Sequence, residues 1–185
     1  MNRSLIFDLA TGAFKQRWPL PGPTNSCNDM TVMANRTVYV SDPSNGRVLR
    51  LKPGASDLDV FIKDDRLNGV DGITVMNERL YVNSISSGKV YRVPVEANGD
   101  VGALVEITLS RPLQSPDGMR ALGSRMYVAG SRPMQVSMLE FNGDPAPVTT
   151  IKGGFKTPTA VAPTAAPLSM SRSDPNSCRQ QPPGT

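Results

Sequence analysis

The stretch Asp71-Gly72-Ile73-Thr74-Val75, followed by Arg79-Leu80-Tyr81-Val82-Asn83-Ser84 and by Gly88-Lys89-Val90-Tyr91-Arg92-Val93, decides the fold. Each run is short and rich in Val, Ile, Leu and Tyr, and apolar residues alternate with polar ones. That period of two is the mark of a β-strand. Glycine, asparagine and serine separate the runs and supply the turns. Three strands joined by tight turns already form an antiparallel meander.

The same pattern occurs on either side. Upstream stand Asn28-Asp29-Met30-Thr31-Val32, Thr37-Val38-Tyr39-Val40-Ser41-Asp42 and Gly46-Arg47-Val48-Leu49-Arg50-Leu51. Downstream stand Asp117-Gly118-Met119-Arg120-Ala121, Arg125-Met126-Tyr127-Val128-Ala129-Gly130 and Val136-Ser137-Met138-Leu139-Glu140-Phe141. Tyr39, Tyr81 and Tyr127 mark one place in each unit. A fourth run closes each unit, at Leu58–Lys63, Leu104–Leu109 and Pro147–Lys152. Four short strands in a repeat of roughly 40–50 residues describe a propeller blade. A β-sandwich or an irregular meander is the alternative, but neither requires three units in register.

The expectation is an all-β chain forming a partial β-propeller over residues 1–162. Its blades lie at about 28–63, 71–109 and 117–152. Ser4–Thr11 and Phe14–Leu20 read as the last two strands of a preceding blade, a half blade at 4–20. Thr157-Pro158-Thr159-Ala160-Val161-Ala162 reads as the opening strand of the next. The following residues, 163–185, are small, polar and proline-rich and are expected to be disordered. This change of composition in mid-blade reads as a truncation or a shifted reading frame. Three blades leave open edges, so self-association through them is expected.

Composition narrows the chemistry. The chain has 185 residues, 38% hydrophobic and 19% charged, with 16 glycines and 17 prolines. The net charge is only +4 and the basic residues are scattered, so neither nucleic acid nor membrane partners are expected. There is no histidine, which removes Ser-His-Asp and Cys-His nucleophile systems and the commonest zinc ligand. Two cysteines, Cys27 and Cys178, are too few for a disulfide framework. Met1–Leu9 lacks the apolar run of a secretory signal, so the chain as it stands reads as cytoplasmic.

Carboxylates and amides remain. Asn28, Asp71 and Asp117 occupy one position in three successive units, at the start of the inner strand. Inner strands of a propeller line its axis, so equivalent side chains converge there. Three oxygen donors would suit a hard cation such as calcium. The competing reading is that Asn-Asp and Asp-Gly are turn formers, and spacing alone favours the turn. Trp18 reads as packing on an outer strand, and the nine methionines as core filler.

The same three segments, in order, resemble signatures of the senescence-marker-protein/gluconolactonase-like family, six-bladed propellers that include metal-dependent lactonases. Ser26-Cys27-Asn28-Asp29 resembles the family's Arg-x-Asn-Asp segment, Val70-Asp71-Gly72-Ile73 its Asn-Gly-Leu segment, and Ser115-Pro116-Asp117-Gly118-Met119 its Pro-Asp-Gly-Met segment. The resemblance covers roughly residues 4–162. It implies Asp71 and Asp117 as ligands of a divalent metal, calcium foremost, with Asp117 also the catalytic base and Asn28 facing the substrate. The ligand implied is a lactone or sugar acid. A periplasmic or secreted location is implied as an option for a full-length parent. Three departures stand out: a metal-binding Glu of the family's first blade has no counterpart, Asp71 replaces an Asn, and Ser26 replaces an Arg. A lactonase of low or no activity is expected. The alternatives are a non-catalytic propeller binding a ligand or protein, and a degenerate remnant.

Overall fold

A computed structural model describes residues 3–22, 24–164 and 169–172. Among these residues sixteen strands form five antiparallel sheets. A hairpin of β1 (Arg3–Phe7) and β2 (Phe14–Pro19) comes first. The first four-stranded sheet holds β3 (Met30–Val32), β4 (Val38–Asp42), β5 (Arg47–Leu51) and β6 (Asp59–Lys63) in sequential order. The second holds β7 (Val70–Met76), β8 (Arg79–Ser84), β9 (Val90–Val93) and β10 (Val105–Ile107). The third holds β11 (Pro116–Leu122), β12 (Arg125–Gly130), β13 (Gln135–Glu140) and β14 (Val148–Gly153). A second hairpin, β15 (Pro158–Ala162) with β16 (Ser169–Arg172), completes the order.

The sheets stack face to face as blades do. On the second strand of each module, tyrosine and the valine after it point to opposite faces. Tyr39 joins the core shared with the following sheet, where Leu67, Ile73, Val82 and Tyr91 also lie. Val40 turns to the preceding hairpin, with Leu20, Leu49 and a partly buried Trp18. The next module repeats this, with Val82 facing back and Tyr81 forward to Met119, Met126 and Val128. Tyr127 packs against the layer of Ala129, Val136 and Val161. Each sheet is therefore apolar on both faces, and each fully buried Val, Leu or Ile contributes about 1.5–3 kcal/mol. Tyr39 meets Phe61 edge-on with centroids 5.0 Å apart, and Tyr81 meets Phe141 at 5.4 Å.

The inner strands pack successively. β7 lies against β3 and β4, β11 against β7 and β8, and β15 against β11 and β12. That succession is the partial β-propeller expected from the repeat, with three four-stranded blades and no closed ring among the described residues.

Two expectations change. Asp71-Gly72 and Asp117-Gly118 do not form turns; both lie inside inner strands, at irregularities in their pairing with β8 and β12. Ser169–Arg172, assigned above to a disordered tail, pairs with β15. A free inner strand exposes unmet N–H and C=O groups, and even a short polar segment can satisfy them. The remainder of that tail, residues 165–168 and 173–185 with Cys178, lies outside the described residues. Among the described residues, no helix is long and apolar enough to cross a membrane.

Candidate functional site

The pairing register identifies equivalent positions without reference to side chains. Met30 stands opposite Val40, Ile73 opposite Val82 and Met119 opposite Val128. Two residues before each lie Asn28, Asp71 and Asp117. All three line one cleft of about 170 Å³ at the axial side of the stack, with Asp29, Gly118, Arg120, Thr159 and Ala160. The three residues singled out from the sequence are thus brought together.

Glycine makes the convergence sterically available. A Cβ on Gly72 would stand 2.6 Å from both the Asp117 carbonyl oxygen and the Met119 nitrogen. A Cβ on Gly118 would stand 2.6 Å from the Thr159 carbonyl oxygen. Neither glycine has positive φ. They follow the acids because adjacent inner strands touch there, not because a turn needs them.

The two acids share the cleft. Asp71 is 6% exposed and lines the cleft beside Asn28 and Asp117. Burial pushes its carboxyl up to about 7, and the charges of Asp117 and Asp29 add to the shift. Burial also raises Asp117, with Asp29 acting in the same sense, while the Gly118 N–H and the Asp71 carboxyl oppose it. Both carboxyls are thus harder to ionise than a free aspartate, Asp71 the more so because it is the more deeply buried. Two adjacent negative charges are costly in such a cleft.

Asp29 is differently placed. Arg120 grips it with two bonds, at 2.6 and 2.7 Å. The Ile73 N–H donates to the same carboxylate at 3.1 Å. Arg120 also donates to the Met119 carbonyl at 2.7 Å. One charge pair thus ties the segment entering β3 to β7 and β11, and Asp29 already has a cationic partner. Among the described residues, no group of three or more His, Cys, Asp or Glu side chains is arranged to hold a metal ion.

Two groups at the site escaped the sequence reading. Thr159 is the fourth member of the register. Ser115 and Thr157 share a φ of 42° and 43°, each precedes a proline, and three residues past each proline Met119 and Val161 pair with the second strand. Thr159 therefore stands where Asp117 stands one module earlier, and the shared x-Pro-x pattern is the signal for it. Arg120 has no comparable signal, since its partner lies 91 residues away.

No protein-family model and no curated protein matches the chain. Solved structures do. A gluconolactonase from Xanthomonas campestris superposes with a TM-score of 0.70 at 17% identity, over 90% of this chain and 61% of that one. A calcium-binding protein, regucalcin, from Agrobacterium tumefaciens gives 0.65 at 16%, over 85% and 56%. A virginiamycin B lyase from Staphylococcus aureus gives 0.67 at 16%, over 87% and 53%. The chain spans little more than half the length of these structures. At such identities the likeness concerns architecture, and by architecture this chain is part of a β-propeller of the kind found in the gluconolactonase and regucalcin structures.

Proposed function

We propose that Asn28, Asp71 and Asp117 form the working centre of a site that binds a divalent cation, calcium foremost, and hydrolyses a lactone. One observation carries this reading: two carboxyl groups from equivalent positions of adjacent modules line one cleft, where burial raises both. Such a pair requires a positive partner to ionise fully, and a cation can stand in for a proton. The donor set suits a hard cation in kind, since two carboxylates and an amide carbonyl all present oxygen. When bound, the cation supplies polarisation of the ester carbonyl. In this reading Asp117 accepts the proton of an attacking water. Asn28 orients the ligand oxygen, and Thr159 and Arg120 wall the cleft. The likeness to a gluconolactonase and to a calcium-binding protein supports the assignment.

Titration calorimetry of the full chain with calcium at pH 7 tests it. Binding should release protons, read from the dependence of the heat on buffer ionisation enthalpy, and Asp117→Ala should abolish it. Absence of heat with calcium, magnesium, manganese and zinc rejects the cation.

A second reading has its own support. Arg120 already occupies Asp29, which leaves few free ligands for a metal. A non-catalytic module would then bind a neutral sugar lactone through the protonated Asp71, Asn28 and Thr159. A "nutrient binding protein" from Bacteroides ovatus shares the architecture, with a TM-score of 0.64 at 15% identity. Heat with gluconolactone in the presence of a chelator, without turnover, distinguishes this reading.

A further inference from the structure

We infer that Asn83 is the positioning residue of this site, the amide that fixes how closely the backbones carrying Asp71 and Asp117 approach. The inference rests on those two acids being the working pair, and not on what they bind.

Asn83 lies on β8, one residue past Val82, and is wholly buried. Its Oδ1 accepts from the Gly72 N–H at 3.1 Å, and its Nδ2 donates to the Asp117 carbonyl at 2.7 Å. A backbone N–H only donates and a carbonyl only accepts, so both ends of the amide are specified. The bridge therefore joins the residue after one acid to the second acid itself, across the boundary between two modules. A methyl group at position 72 would also meet Nδ2, at 2.8 Å. Asn83, Gly72 and the Asp117 backbone form one packed unit.

The other modules show that the fold does not demand this residue. At the equivalent position the first module has Ser41. Its hydroxyl accepts from the Asp29 N–H at 3.0 Å and donates to the Asp29 carbonyl at 3.3 Å, so both bonds stay inside the module. The third module has Ala129, which carries no polar group. Of the three, only the module whose acid faces another acid carries a side chain long enough to cross. A requirement of the propeller would appear in all three. A requirement of the acid pair appears at this junction alone.

The test replaces Asp71 and Asp117 together by cysteine and follows formation of their disulfide under mild oxidation, with peptide mapping to exclude Cys27 and Cys178. A disulfide forms only when the two Cα atoms lie within about 4.4–6.8 Å, so its rate reports backbone approach. With Asn83 present the bond should form readily. Asn83→Ser, the residue used by the first module, keeps an acceptor for Gly72 and loses the bridge. It should slow trapping at least tenfold. If Asn83→Ser is not native by circular dichroism, Asn83→Asp serves, since it keeps the acceptor and loses the donor. A lowered melting temperature with an unchanged trapping rate reduces Asn83 to a scaffold role and overturns the inference, as does failure of the parent pair to cross-link. No cation enters this measurement, so its outcome and that of the calcium titration are independent.

Discussion

The entries to β7 and β3 solve one packing problem in opposite ways. Gly72 follows Asp71 and lets β11 come close enough for a backbone to touch where a side chain would be. At the matching place in the first module the chain has Asp29, a charged group with a body of its own. Its bulk is accommodated and its charge is met by Arg120, reaching from β11 across β7. One junction is held by absence of atoms and dense contact, the other by an ion pair. Contact of the first kind is indifferent to pH and salt but intolerant of any added atom. The second tolerates rearrangement but responds to charge and screening. Asp71 and Asp117 sit at the densely packed junction.

The segment entering β3 is pinned on its other side by a second polar cluster, which offers the strongest way to break the comparison. Asp42 is fully buried and accepts from Arg47 at 2.8 Å, from the Asn45 side chain at 2.9 Å and from the Ser26 N–H at 3.0 Å. Asp42→Ala strands the buried guanidinium and frees the loop that carries Asn28. It should cost about 3–5 kcal/mol in urea denaturation. A loss below about 1 kcal/mol would mean that apolar packing alone holds this entry.

Gly72→Ala comes next. The added methyl meets backbone on two sides, and a cost of about 3 kcal/mol is expected, at the upper part of the overpacking range. Gly153→Ala is the control, since nothing lies within 4 Å of a Cβ there. Equal costs for the two would remove the close-contact account of the acid-glycine pair.

Arg120→Ala should cost about 1–2 kcal/mol, because a mostly buried carboxylate loses its partner while the arginine itself is partly exposed. Combining it with Asp29→Gly, which gives the first module the glycine of the others, should cost less than the sum of the single changes. Additivity would show that the pair does not act as a unit.

The last effect is a slope rather than a single loss. Asp71 titrates near 7 when folded and near 4 when unfolded, so the folded chain holds the extra proton between those values. Stability from this group is complete below about pH 4 and is lost as pH rises towards 7. Asp71→Asn should remove that decline, seen as a flatter melting temperature between pH 4 and 7 than in the parent. Parallel curves would mean that Asp71 is ionised in the folded chain.

Much of the fold was legible because its signals are local. Val82 and Tyr81 sit side by side in the text, and alternation sends them to opposite faces whatever surrounds them. Asn28, Asp71 and Asp117 were legible because repetition places like residues at like positions. The reason for Gly72 was not: an Asp-Gly pair looks the same in a turn and in a strand that touches its neighbour. Thr159 was hidden by its own chemistry, since a threonine in line with two acids and an amide attracts no notice. The pairing of Asp29 with Arg120 left no trace, because an ion pair between distant segments has no spacing rule.

The chain by itself determined the module: four short strands, apolar on both faces, repeated with one polar position at the head of each. Those are properties of neighbouring residues, governed by the pleat and by turn chemistry. Only the tertiary structure decided that those polar heads share one cleft, that burial raises the two acids among them and that a third acid is spent on an arginine. Each depends on the distance between separate modules, and at contact range a carboxyl group's charge is set by what stands beside it and by how little water does.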